Sequence, residues 1–179
     1  MSESHHPERA ARVSADLQHE IEQLLYTEAE LLDSYQLEEW LDLLTEDVRI
    51  TAPIRRDTHP GTEQSEFSEE GYYVYNEYDI LRERVTRLGK EYAWAENPRS
   101  RVRHVISNVR VTEADGDEYA VQNNQLVYRS YGNTAKQDVL SARRETTLRR
   151  VDGDLKIAGR VVYFDDSVID MKTLTIVFL

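Results

Sequence analysis

The sequence predicts an α+β fold in which N-terminal helices pack inside one strongly curved antiparallel sheet, giving a cone. Three observations predict it. Apolar residues recur at spacings of three, four and seven over residues 14–35, the period of a helix with one buried face. Beyond Ser100 the period changes to two, in long runs rich in Val, Tyr, Thr and Ile that are separated by short turns. The chain has 179 residues, 40% of them hydrophobic, which is the size of one domain able to bury a core without disulfide or metal.

A polar, patternless tail is expected over residues 1–12, with a single domain over 13–179. The first helix starts near Ser14 and buries Leu17, Ile21, Leu24, Leu25, Leu32 and Tyr35, with Asp16, Glu20, Glu22, Glu30 and Asp33 between them. A second helix repeats the pattern with Leu37, Trp40, Leu41 and Leu44 and ends at Thr45-Glu46-Asp47. Val48-Arg49-Ile50-Thr51-Ala52 alternates as a strand, which Pro53 stops or places at an edge. Residues 55–78 hold Pro60, Gly61, Gly71 and six acidic side chains and read as a long loop. A third helix starts near Asp79, buries Leu81, Val85 and Leu88, and ends at Gly89.

Runs 101–112, 118–131, 137–151 and 155–164 then read as strands joined by turns at Asp115-Gly116, Gly132-Asn133 and Asp152-Gly153. Connections this short force antiparallel neighbours, so these strands form a meander, closed by a last strand carrying Leu174, Ile176 and Phe178. Strands longer than usual must twist and curl, here around the helices. The sequence contains no internal repeat.

Composition excludes several chemistries. With no cysteine there is no thiolate nucleophile, cysteine-ligated zinc, iron–sulfur cluster or disulfide. The five histidines, His5, His6, His19, His59 and His104, show no i, i+4 pair, and an iron site would need long-range convergence of His59 and His104. No metal is therefore expected in this chain. No dinucleotide or phosphate-binding glycine motif and no G-x-S-x-G elbow occurs. A net charge of −12 argues against nucleic-acid binding. No apolar run approaches the roughly 20 residues of a membrane span, and the N-terminus lacks the apolar core of a signal peptide, so a cytoplasmic protein is expected.

Charge is nevertheless uneven. Residues 1–50 hold three basic and thirteen acidic groups, whereas residues 79–110 hold eight basic and four acidic ones. In the second segment Arg99, Arg101 and Arg103 alternate toward one side of a strand entry, with Trp94 close by. Planar guanidinium forks and a large flat ring are the composition of protein–protein hot spots, the alternative being a solvated edge strand. On another strand Arg144 and Arg150 share a face with Ala142, Thr146 and Leu148, which suggests burial against acidic partners, either the chain's own first helices or another subunit. His104 lies between Val102 and Ile106 on their face and points inward. It is either a core or interface histidine paired with a carboxylate, or one member of an acid–base site with Asp47 and tyrosines in the cone. The second reading would make the chain a freestanding lyase or isomerase. A pocket that only binds a hydrophobic ligand is a further possibility.

Several stretches together resemble the β, or small, subunits of Rieske non-haem-iron aromatic ring-hydroxylating dioxygenases, over nearly all of residues 15–179. They are Glu20-Ile21-Glu22-Gln23-Leu24-Leu25-Tyr26 with Glu28-Ala29-Glu30-Leu31-Leu32-Asp33, Trp40-Leu41-Asp42-Leu43-Leu44 running into Asp47-Val48, and Pro53-Ile54-Arg55. The most specific are Trp94-Ala95-Glu96-Asn97-Pro98, Ser100-Arg101-Val102-Arg103-His104 and Ser107-Asn108-Val109, followed by Tyr128-Arg129 and residues 144–150. Arg99 stands where the family often has a second proline. The resemblance implies a cone like that of nuclear transport factor 2 and ketosteroid isomerase. It further implies a hexamer of three α and three β subunits with β–β contacts, in which α carries the Rieske [2Fe-2S] cluster and a mononuclear iron and cis-dihydroxylates an aromatic compound. The β chain would then be structural, with no catalytic residue of its own. Trp94, Arg99, Arg101, Arg103, His104, Arg144 and Arg150 are the expected interface residues.

Overall fold

A computed structural model describes residues 11–56, 65–88, 99–133, 135 and 137–170. Helix α1 spans Ala15–Asp33 because Ser14 caps it, its hydroxyl accepting the Leu17 amide at 3.1 Å, while Asp16 sits in the first turn where the helix dipole favours an anion. Its buried stripe is Ile21, Leu25, Glu28, Ala29 and Leu32. A one-turn helix α2, Leu37–Leu41, follows, shorter than the sequence suggests because the chain is already extended at Leu44.

Strand β1, Leu44–Arg55, is accordingly longer than the expected five residues and lies inside the sheet, between β2 and β6. Pro53 neither stops it nor places it at an edge. The register with β2 shifts on both sides of Pro53, so its missing amide falls at a bulge where no ladder bond is required. The long loop expected over residues 55–78 is corrected too: Phe67–Glu77 form strand β2, antiparallel to β1. Ser68, Val74 and Asn76 point in, and the pairs Arg49–Glu77 and Arg55–Glu66, at 3.4 and 3.3 Å, absorb acidic charge in the strand and just before it. Helix α3, Tyr78–Leu88, follows with Leu81 and Val85 buried.

The expected meander follows as β3 (Arg101–Asp115), β4 (Glu118–Ser130), β5 (Gln137–Val151) and β6 (Asp154–Phe164). The order across the sheet is β2-β1-β6-β5-β4-β3, and every pair is antiparallel except β1 with β6. Asp152 at φ 52° and Gly153 at φ 98° make the left-handed turn that a two-residue hairpin needs. At Asn108, φ 55°, the β3–β4 register shifts, so Val102 and His104 point inward before it and Val111 after it. This bulge bends the edge strand over α1.

The helices lie on the inner face. One apolar cluster joins Ile21, Leu25, Trp40 and Leu81 to Val48, Val111, Val121, Leu148 and Ile157, and a second holds Val74, Val102, Val127, Leu140, Val162 and Phe164. The Ala11 amide donates to Val111 O at 2.8 Å. Gly89, Trp94 and the closing strand with Leu174, Ile176 and Phe178 lie outside the described residues.

Candidate functional site

Charge is buried where the two apolar clusters meet. Glu28 replaces an apolar residue in the α1 stripe and is 1% exposed. Arg160 on β6 holds it with two parallel bonds, Nη1 to Oε1 at 2.6 Å and Nη2 to Oε2 at 2.9 Å. Arg144 on β5 donates Nη1 to Oε2 at 3.4 Å, and Trp40 donates its indole N–H to Oε1 at 3.4 Å. The Arg160 Nε reaches Thr146 Oγ1 and the Arg144 Nε reaches Asn123 Oδ1. Burial alone would push the Glu28 carboxyl up, but Arg160 and Arg144 outweigh it and hold it at about 2. Burial, then the neighbouring Arg160, pulls the Arg144 guanidinium down to about 9, so it remains charged at neutral pH.

A second cluster forms where α1 ends. Tyr35 adopts φ 59°, a left-handed conformation unusual for a tyrosine, and closes the helix with Gln36 N donating to Leu31 O and Tyr35 N to Leu32 O. The Tyr35 hydroxyl donates to Ser100 O at 2.9 Å, and the Arg99 guanidinium lies 4.9 Å from its ring centroid. This turn leaves Asp33 against β3. There its carboxylate accepts the His104 amide at 3.0 Å, His104 Nδ1 at 2.7 Å and Arg103 Nη1 at 3.2 Å. An ionised carboxylate only accepts, so Nδ1 carries the proton. His104 Nε2 is buried with no partner among the described residues. We expect Asp33→Ala to cost about 2 kcal/mol, since it orphans the His104 amide and ring together. Arg150→Ala should cost only about 0.5 kcal/mol, because its ion pair with Glu20 is half-exposed. Urea unfolding midpoints of the two variants would check the contrast.

The outer face of the sheet is different. No helix among the described residues covers it, and its cross-strand rows run Arg103–Tyr128–Val139 and Val105–Leu126–Ser141 over β3, β4 and β5. Val105, Leu126 and Val139 are 48%, 42% and 54% exposed. Arg101 and Arg103 border this apolar patch on β3, with Arg101 donating to Ser130 Oγ and Gly132 O. An apolar centre rimmed by arginine is the make-up of a contact surface.

The expected site residues thus separate. Arg99, Arg101 and Arg103 are exposed along one edge, whereas Trp94 lies outside the described residues. His104 is buried inside its own chain, with a side chain 1% exposed, and supports Arg103 through Asp33 rather than reaching outward. Arg144 and Arg150 are engaged within the chain. Both strand positions face α1, where Glu28 takes Arg144 and Glu20 takes Arg150 at 2.8 and 2.9 Å. Asp47 does not meet His104. It sits exposed on β1, where hydrogen bonds from Thr45 and Arg149 hold its carboxyl below the usual range. The residues that sequence reasoning missed are Glu28, Asp33, Arg160 and the outer apolar trio. Glu28 carried a signal: Ile21, Leu25, Glu28 and Leu32 are spaced four, three and four apart, an acid in a core stripe.

Among the described residues no group of three or more His, Cys, Asp or Glu side chains is placed to hold a metal ion. The absence of cysteine leaves no thiolate for an iron–sulfur cluster. Nor is any described helix long and apolar enough to cross a membrane.

Residues 27–171 match the family described as ring hydroxylating beta subunit. The chain is 34% identical over 176 residues to the benzene 1,2-dioxygenase subunit beta of Pseudomonas putida, covering 95% of this chain and 93% of that one. It is 35% identical over 178 residues to the biphenyl 2,3-dioxygenase subunit beta of Rhodococcus jostii, again covering 95% and 93%. In fold it is similar to a chain of naphthalene 1,2-dioxygenase solved with indole bound, with TM-score 0.83 and 23% identity over 94% of this chain and 88% of that one. The cone is of the nuclear transport factor 2 type. The chain belongs to the β subunits of the ring-hydroxylating dioxygenases.

Proposed function

We propose that this chain is the structural, non-catalytic small subunit of the terminal oxygenase of an aromatic ring-hydroxylating dioxygenase. It assembles with a large α subunit as three α and three β chains, with β–β contacts. The α chain supplies the Rieske [2Fe-2S] cluster, the mononuclear iron and the cis-dihydroxylation of an aromatic compound. The observation that carries this reading is the uncovered outer face, with Val105, Leu126 and Val139 exposed beside Arg101 and Arg103, in a chain whose relatives are dioxygenase β subunits. Arg99 extends the same edge, and Trp94 precedes it in sequence. An inner acid–base site has less support, since the cavity lined by Arg144 and Arg160 does not reach His104.

The purified chain alone is expected to contain no stoichiometric iron and to oxidise no arene. Co-expressed with the large subunit of a ring-hydroxylating dioxygenase, it should elute as one complex in sizing chromatography. Iron or turnover in the isolated chain, or separate elution of the two, would refute the proposal.

A further inference from the structure

The two edges of the sheet carry opposite charge. At one edge β2 has Glu69, Glu70 and Glu77 and no basic residue, and at the other residues 101–110 of β3 have Arg101, Arg103 and Arg110 and no acidic one. Part of this charge is neutralised within the chain. Glu77 pairs with Arg49, Arg103 with Asp33, and Arg101 donates to Ser130 Oγ and Gly132 O. Glu69 and Glu70 are left exposed with no ion pair among the described residues, and the exposed Arg110 meets only the neutral Gln122 Oε1, at 3.1 Å. The backbone edge of β3 is already occupied: Asp33 accepts the His104 amide, while the Ala11 amide and the Gln18 side chain donate to Val111 O and Val109 O. Contact there falls to side chains on the outer face. Beside Glu69 and Glu70 stand Tyr72 and Tyr75, 41% and 46% exposed, packed edge to face with ring centroids 5.7 Å apart. The Tyr72 hydroxyl donates to Glu69 O at 3.1 Å and the Arg49 guanidinium lies 5.6 Å from the Tyr75 centroid, so both rings are held in place before any partner arrives.

The outer face offers a seat for such rings. Gly159 lies inside β6, paired with Arg49 on β1 and Thr147 on β5, and these residues border a hollow with Thr51, Thr112 and Gln122. Glycine weakens a strand, yet this chain does not require it here. Its φ is not left-handed, and a Cβ would meet Arg49 O at 3.7 Å and Thr147 Cβ at 3.8 Å, ordinary contact distances. We propose that a second copy of this chain docks on this face, the Tyr72 and Tyr75 edge of one copy seated over Gly159 of the next, with Glu69 and Glu70 facing Arg110. The spans agree. Glu70 lies roughly 17 Å along β2 from Tyr75, and three strand spacings, roughly 14 Å, separate Gly159 on β6 from Arg110 on β3. Both halves of the contact come from one chain but from different surfaces, so the contact is head-to-tail and closes as a ring. It rests on the assembly of three β chains proposed above and leaves Val105, Leu126 and Val139 to the large subunit.

The test is sedimentation of the full chain without the large subunit. The unmodified protein should sediment as a trimer. Tyr72→Ala with Tyr75→Ala, and separately Gly159→Val, should each weaken association by roughly a hundredfold and give folded monomers with an unaltered circular dichroism spectrum. Mixed in equal amounts, each variant keeps the half that the other lacks, so the mixture should form a one-to-one dimer and nothing larger. A monomeric unmodified protein, a trimer of either variant, or a mixture that stays monomeric overturns the inference. Should Gly159→Val fail to fold, Arg110→Glu replaces it. Arg110→Glu alone should then dissociate the trimer, and adding Glu69→Arg and Glu70→Arg in the same chain should restore it; failure of either step also overturns the inference. Co-elution of the unmodified chain with the large subunit tests the proposed function separately, so a chain that co-elutes but does not associate with itself sinks this contact alone.

Discussion

Replacing Glu28 with Gln is expected to destabilise the chain by roughly 4 kcal/mol, enough to unfold a large fraction of it near physiological temperature. The substitution hardly changes volume, so no cavity term enters. What changes is charge: Arg144 and Arg160, 2% and 5% exposed, would face each other with no carboxylate between them. Removing one partner of a buried ion pair costs more than the pair ever contributed, because the desolvated charge left behind has no compensation. The complementary variant discriminates this account from ordinary packing. Changing Glu28, Arg144 and Arg160 together to apolar residues of similar volume should recover most of the loss, as a purely steric role would not allow.

Acid provides an independent route to the same group. The folded chain holds the Glu28 carboxyl at about 2, below its ordinary 4.5, so the folded state binds fewer protons than the unfolded one. Its contribution to stability is therefore fully present above pH 4.5 and is lost as pH falls through about 2. The gap corresponds to about 3 kcal/mol. Chemical unfolding followed from pH 6 downward should show the steepest decline between those values, and in Glu28→Gln this component of the decline should vanish.

The same cluster shows what a sequence reveals about such a fold. Helix α1 was legible because its stripe and its Ser14 cap are local, and the meander was legible because its turns are short and glycine-marked. Strand β2 was not. Its eleven residues include Gly71 and three acids, and what makes them a strand is pairing with β1, where Arg49 and Arg55 meet Glu77 and Glu66. That pairing is a tertiary fact, absent from any window of sequence. Arg144 was recognisable as a buried arginine needing an acid, but the choice between its own helix and a neighbouring subunit depends on Glu28, 116 positions away. His104 was correctly placed inward, while its carboxylate, Asp33, is delivered by a left-handed tyrosine that no pattern of hydrophobicity marks.

The outer apolar patch leads to the largest expected effect on assembly. Val105 and Leu126 are directly opposite on β3 and β4, and Val139 opposes Tyr128 on β5, so these side chains form one continuous surface with no intrachain cover among the described residues. Leu126→Asp combined with Val139→Asp places two carboxylates there. In the free chain both stay in water, so folding should change by less than about 1 kcal/mol and the circular dichroism spectrum should be unaltered. In the assembled oxygenase both would be desolvated without partners, at several kcal/mol each, and co-expression with the large subunit should yield separate peaks in place of one complex. Reversing the rim with Arg101→Glu and Arg103→Glu should act more mildly, by roughly tenfold in affinity and with a marked salt dependence, because rim charges remain partly solvated and Arg103 is already engaged by Asp33. If the apolar pair is neutral to assembly while the arginine pair is not, the contact surface follows the edge of β3 instead of the open face of the sheet.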